Sequence, residues 1–292
     1  MIRGEREWLI HNSVNNKISI GTAQFGLEYG INNQRGVIPK KEALQILDLC
    51  LKNNITHIDT SPVYGSSENL IGVYNKKQHF NITTKYSEKR AADINSNSLG
   101  FKKVYAYLVH HFESYKANSN IWSNMEELRN TGRVQKIGFS LYYPEQLEDL
   151  LDSDVDFNIV QVPYSILDQR FAEYFRELSV RGIEIQVRSV FLQGLVFKNC
   201  DHLEKFDSLK DNLTKLNNMC CEYNVPISSL CICFALLNKH VDRVVLGVNS
   251  LEELKSNLIY YNNFLKVGRI YDKLLKLHKN DDKMIVPLNW KS

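Results

Sequence analysis

The sequence has no apolar stretch approaching the roughly 18 residues that a bilayer-spanning helix needs; runs such as 228–238 fall well short. No membrane span is expected. Residues 1–8 carry Arg3, Glu5, Arg6 and Glu7 and lack an apolar core followed by a small-residue cleavage site, so they do not read as a secretory signal. A cytoplasmic location is the expectation. Lys and Arg are dispersed and never gather into a long basic run, and the formal charge is only +3, so no footprint for nucleic acid or a membrane surface stands out. Cys220, Cys221, Cys231 and Cys233 lack the spacing of a metal knuckle and lie in segments of helical character, which favours small buried side chains over a zinc site. With Cys50 and Cys200 they make six cysteines in 292 residues, too sparse for a disulfide framework. Low-complexity segments are absent, and so is any sign of a second domain.

What remains is an ordinary globular composition, 43% hydrophobic and 24% charged, sufficient for a sizeable core. Short β-branched or apolar runs at 17–21, 56–59, 81–85, 104–110, 135–140, 158–161, 184–189 and 243–247 read as strands. Between them, helical periods occupy 40–52, 120–129, 144–150, 170–180, 207–223 and 251–261. A second helix at 226–237 precedes the last strand, and 267–278 reads as a closing helix. The segment 86–101 is short and polar for a crossover helix, and 112–119 reads as a polar loop beside an open mouth suited to a hydroxylated ligand. Eight parallel strands predict a (β/α)₈ TIM barrel as one domain over 1–292, with the barrel at about 17–262 and the closing helix and tail at 263–292.

Barrel enzymes gather their chemistry at the C-terminal strand ends. Here the second strand ends in Asp59, the third in Lys85 and the fourth in His110, while Tyr64 follows Asp59 in a short loop before Gly65. Singly, these side chains read as a helix cap, a solvated lysine, a core histidine and a packing tyrosine. Together they converge on one mouth.

These motifs resemble the aldo-keto reductase family over roughly 18–261. Ser19-Ile20-Gly21-Thr22-Ala23-Gln24-Phe25-Gly26 is similar to its first-strand motif, and Ile58-Asp59-Thr60-Ser61-Pro62-Val63-Tyr64-Gly65 to its aspartate-tyrosine motif. Thr83-Thr84-Lys85 and Tyr107-Leu108-Val109-His110-His111 resemble the lysine and histidine motifs. The resemblance implies a nicotinamide-dependent reductase of a small-molecule carbonyl in which Tyr64 donates the proton, Lys85 paired with Asp59 lowers the phenol's pKa, and His110 orients the carbonyl. It places His110, not His111, in that role.

The resemblance also implies cofactor contacts from Gly21, Thr22 and Asp59, and from Ser140 and Gln161 to the nicotinamide carboxamide. Arg188, Ser189, Phe191, Gln193 and Gly194 match the loop that wraps the pyrophosphate. Arg188 stands where an aromatic side chain usually stacks on the ring; its plain structural alternative is a salt bridge. Gly247, Asn249, Glu253 and Asn257 match the adenosine end. The expected cofactor is NADPH, with NADH possible because Glu253 replaces a usual cation; Lys198 or Lys255 are alternative partners for the phosphate. No metal is implied, and the sequence carries no signal of oligomeric state. The rival readings are a redox-sensing cofactor-binding module without turnover and a barrel isomerase or aldolase. The Arg-Ser-Val-Phe-Leu-Gln-Gly segment at 188–194 resembles that of family members associated with sugar or surface-polysaccharide pathways, and this resemblance implies a sugar or sugar-derived carbonyl.

Overall fold

In the computed structural model, which describes residues 15–74, 79–86, 103–118, 120–198, 204–279 and 281–291, eight parallel strands close into a barrel in strict sequence order. They are β1 (Ile18–Gly21), β2 (His57–Asp59), β3 (Asn81–Tyr86), β4 (Val104–Val109), β5 (Val134–Ser140), β6 (Ile159–Pro163), β7 (Glu184–Arg188) and β8 (Arg243–Gly247). β1 pairs with both β2 and β8, which closes the ring. The apolar side chains of these short strands are almost wholly buried, the expected state of a parallel sheet covered by helices. The expected segment 87–101 and Cys200 lie outside the described residues.

The helices on the outside carry the pattern read from the sequence. Lys40–Lys52 (α1) begins after Pro39 and buries Ala43, Ile46, Leu47 and Cys50, one face of a 3.6-residue repeat. Asn120–Asn130, Pro144–Leu151, Lys210–Tyr223 and Ile227–Leu237 follow their expected positions closely. Cys231 and Cys233 of the last of these are buried in the apolar core.

Several expectations need correction. Ser67–Tyr74 is a helix (α2) that the sequence reading omitted. Of the expected loop 112–119, Phe112–Ala117 is instead helical (α3), with Phe112 its buried residue. The expected helix at 170–180 is a 3₁₀ turn at Ala172–Tyr174 followed by Phe175–Val180. The segment 251–261 is helical over Leu251–Asn257 (α4) and continues as 3₁₀ geometry through Asn263. The closing helix is two, Phe264–Arg269 and Tyr271–Leu275, broken at Ile270. No single helix among the described residues is long and apolar enough to cross a membrane.

Candidate active site

Parallel register fixes which strand ends meet. Gly21 sits opposite both Asp59 and Gly247, Asp59 opposite Thr83, and Ser140 opposite Gln161. A cleft opens at this end, and Gly21, Asp59, Tyr64, Gln161, Arg188 and Gly247 are among its walls.

Asp59 and Lys85 form a buried ion pair, Nζ to Oδ2 2.7 Å, with side-chain exposures of 6% and 1%. Lys85 Nζ also donates to the Thr60 carbonyl at 2.9 Å, and Gln161 Nε2 donates to the same Asp59 Oδ2 at 2.7 Å. Burial lowers the pKa of Lys85 and Asp59 opposes that shift. A buried pair of this kind is costly to break because either ion alone would be left uncompensated.

Tyr64 reaches the same mouth from a loop pinned by two glycines. A Cβ on Gly26 would lie 2.1 Å from the Tyr64 carbonyl, and one on Gly65 would lie 2.2 Å from the Gly26 carbonyl. Gly65 also takes φ +54°, which a side chain disfavours. The two loops therefore touch backbone to backbone. Behind them runs a buried hydroxyl chain: Ser67 Oγ donates to Thr22 Oγ1 at 2.7 Å, and Thr22 Oγ1 donates to the Asp59 carbonyl at 2.9 Å. Ser67 and Gly26 are positioning residues that sequence reading did not single out; the close Gly26–Gly65 approach was visible only as two glycines in two motifs.

The rings of Tyr64 and His110 meet edge to face with centroids 6.2 Å apart, and Lys85 Nζ lies 5.6 Å from the Tyr64 ring centroid. His111 stacks on His110 at 4.6 Å. Burial, then the Asp59 carboxylate, pushes the Tyr64 phenol well above its ordinary value, with Arg188 acting in the opposite sense. The phenol is thus protonated at neutral pH. Burial, followed by the charge of Lys85, pushes His110 down to about 2, so its imidazole is neutral. Ser61 Oγ lies 3.4 Å from His110 Nδ1. If Nδ1 accepts that hydroxyl, Nε2 carries the proton, as an assigned tautomer and not an observed one.

At the opposite, N-terminal end of the barrel, burial holds His57 down to about 3. Below pH 6.5 the unfolded chain protonates both histidines while the folded chain does not until about 3 and about 2. Stability conferred by their neutrality is therefore complete above pH 6.5 and lost as pH falls. Chemical denaturation should show a loss of about 2 kcal/mol per histidine between pH 7.5 and pH 5. The loss should shrink in His57→Asn, and equal stability at the two pH values would contradict the burial of both rings.

Of the residues expected at the cofactor, Gly21, Thr22, Asp59, Gln161, Arg188, Ser189, Phe191, Gln193, Gly194, Gly247, Asn249 and Glu253 line the cleft. Ser140 and Asn257 do not; both are buried, at the end of β5 and on α4. Gln161 spends its amide N–H groups on Asp59 and on Gln186 Oε1 at 3.3 Å, which leaves its carbonyl oxygen for a bound amide. Arg188 shows no carboxylate partner among the described residues, so its salt-bridge alternative is not met; its guanidinium lies over the Tyr142 ring at 4.1 Å. The loop beyond it holds Ser189, Leu192 and Gln193 at positive φ, a strained backbone for side-chain-bearing residues.

A wall the sequence did not reveal comes from residues 29–33. Ile31 N donates to the Gln193 carbonyl at 3.0 Å, and Gln193 Nε2 donates to the Tyr29 hydroxyl at 2.9 Å. These contacts join loops far apart in sequence and have no local signature. At the far end, Glu253 Oε2 accepts from Asn249 N at 2.9 Å and from Asn249 Nδ2 at 3.0 Å. Arg35, a cation the sequence reading did not single out, pairs with Glu42 and donates to the Asn249 carbonyl at 3.3 Å. Asn249 Oδ1 and Asn257 Nδ2 are buried with no hydrogen-bond partner among the described residues. A cleft with glycines at two strand ends and the unpartnered Asn249 Oδ1 at one extremity suits an extended dinucleotide.

The aldo/keto reductase family model matches residues 17–267. The chain belongs to the aldo/keto reductase family. D-threo-aldose 1-dehydrogenase of Pseudomonas sp is 22% identical over 296 residues, 82% of this chain and 90% of that protein. Pyridoxal 4-dehydrogenase of Microbacterium luteolum is 24% identical over 192 residues, 59% of this chain. The match spans only 56% of that relative's length. Among solved structures, the holo form of an aldo-keto reductase from Bacillus halodurans shares the fold, with a TM-score of 0.70 at 19% identity, covering 92% of this chain and 95% of that one.

Proposed function

We propose that this aldo/keto reductase reduces an aldehyde or ketone, on a sugar or sugar-derived molecule, with Tyr64 as general acid and NADPH or NADH as cofactor. The observation that carries the reading is a protonated phenol and a neutral imidazole, 6.2 Å apart by ring centroid, beside a buried Lys–Asp pair, with Tyr64 and Asp59 on the wall of the cleft. When bound, a nicotinamide supplies the hydride, which no side chain can. His110, being neutral, donates one N–H to the carbonyl oxygen without placing a full charge in the site. Tyr64 delivers its proton to that oxygen as negative charge develops there.

Burial outweighs any acidification of the Tyr64 phenol by Lys85. Its ammonium is tied to Asp59 and the Thr60 carbonyl, and burial dominates the phenol's raised pKa. Two engaged N–H groups leave one to meet the phenolate as it forms, so Lys85 and Arg188 favour the phenolate and oppose the upward push of burial. The similarity to an aldose dehydrogenase supports the sugar class. A cytoplasmic location agrees with this use of soluble cofactor and small substrate.

The test is consumption of reduced cofactor, followed by absorbance, over a panel of aldoses, glyceraldehyde and simple aldehydes. Turnover with at least one carbonyl is expected; cofactor binding without turnover on any of them would favour the redox-sensing reading.

Cofactor choice rests on Glu253. Its carboxylate lines the adenosine end and repels a 2′-phosphate, while Arg35 is already neutralised by Glu42. Glu253→Gln retains an oxygen to accept from Asn249 and removes the charge. Titration should show NADPH binding about tenfold tighter, equivalent to about 1.4 kcal/mol, with NADH little changed. No change for NADPH would mean that Glu253 serves only to hold Asn249.

A further inference from the structure

Arg188 is the cleft's one ionised side chain whose charge the reductase reading leaves without an opposite partner at the reaction end. Its Nη2 donates to the Leu141 carbonyl at 2.9 Å and its Nη1 lies 3.3 Å from Ser189 Oγ. Both contacts orient the guanidinium, and neither neutralises it. Tyr142 covers one face of the group at 4.1 Å. Four other half-buried or buried cations are paired with carboxylates: Lys85 with Asp59, Lys136 and Arg243 with Glu184, and Arg170 with Asp168. A guanidinium sheltered from water without a carboxylate is costly to maintain unless an anion joins it.

Arg188 lines the same cleft as Tyr64 and Asp59. It favours the ionised phenols of Tyr64 and Tyr29 and disfavours protonation of His110. Asp59 and Lys85 cancel each other, His110 is neutral, and Glu253 lies at the other end of the cleft beside Asn249. Among the described residues that line the cleft, Arg188 is the one cation, planar and donor-rich, suited to bidentate contact with a carboxylate or phosphate.

We propose that Arg188 forms an anion subsite for the substrate, so that the preferred carbonyl compound carries a carboxylate or phosphate close to the carbonyl. The inference rests on the reductase reading and narrows its substrate class. The other anion to enter the cleft is the cofactor's diphosphate. The guanidinium is instead drawn to Leu141 and Tyr142, the residues that follow β5, and its charge is felt at Tyr64 and His110.

The test uses matched probes, glyceraldehyde with its 3-phosphate and benzaldehyde with 4-carboxybenzaldehyde, on the wild type, Arg188→Lys and Arg188→Gln. In the wild type kcat/KM should be at least about tenfold higher for the charged member of each pair. Arg188→Gln should lower that charged-to-neutral ratio by about 10- to 100-fold, mainly through KM, and Arg188→Lys should restore part of it. A ratio near one in the wild type would overturn the proposal. So would equal losses on charged and neutral probes together with weakened cofactor binding, which would assign Arg188 to the diphosphate. Benzoate and benzamide binding, followed by ligand-observed NMR with oxidised cofactor present, separates the two readings. Arg188-dependent binding of benzoate alone, with no turnover of any aldehyde, would keep the anion subsite and sink the reductase; turnover with no benzoate preference would do the reverse.

Discussion

Tyr64→Phe should reduce carbonyl turnover by about 10²- to 10⁴-fold, the range assigned to a positioned general acid, while leaving cofactor affinity nearly intact. The substitution removes only the hydroxyl. The ring keeps its edge contact with His110, and the Gly26–Gly65 contact that sets the loop is between backbones, so the cleft should retain its shape. The loss should fall on kcat and kcat/KM together, because the proton transfer belongs to the transition state. Steady-state rates with cofactor titrations on the same samples would check this. A variant that turns over normally would show that the proton comes from elsewhere.

Lys85→Met should destabilise the fold by about 3–5 kcal/mol, because it leaves the buried Asp59 carboxylate without its cation. Gln161 would still donate to Asp59 at 2.7 Å, which limits the loss without cancelling the charge. Against a typical total stability of about 5–15 kcal/mol this is a large share. Adding Asp59→Asn should recover much of the stability, since no isolated ion is then buried, yet should not recover activity. Urea denaturation of the single and double variants separates the two roles. A single-variant loss below about 1 kcal/mol would contradict a buried, mutually dependent pair.

The strands were legible because a parallel barrel strand is buried on both sides and reads as a β-branched run closed by a polar residue, as at Ile58-Asp59 and Val109-His110. Their ends shifted by a residue or two, where a hydrogen-bonded ladder stops for reasons of pairing and not composition. Lys40–Lys52 was legible to the residue, since Pro39 marks its start and its buried face repeats cleanly. Phe112–Ala117 was not, because one buried residue cannot establish a period. The walls formed by residues 29–33 and the seat of Arg35 were equally hidden, since both depend on contacts such as Ile31 with Gln193 and Arg35 with Asn249. The four side chains proposed for the reaction, Asp59, Tyr64, Lys85 and His110, were legible by type and order, and the structure brings them together. The electrostatics around them were not, because burial and not the nearest charge dominates the shifts at Tyr64, Lys85 and His110.

The most direct measurement of the central claim is transfer of deuterium from a nicotinamide cofactor deuterated at the transferring carbon to the carbonyl carbon of an accepted aldehyde, read by mass spectrometry of the alcohol. The account predicts one deuterium on the carbinol carbon in the wild type and product formation slowed by about 10²-fold or more in Tyr64→Phe. Alcohol formed without the label, or labelled at an undiminished rate in Tyr64→Phe, would contradict it.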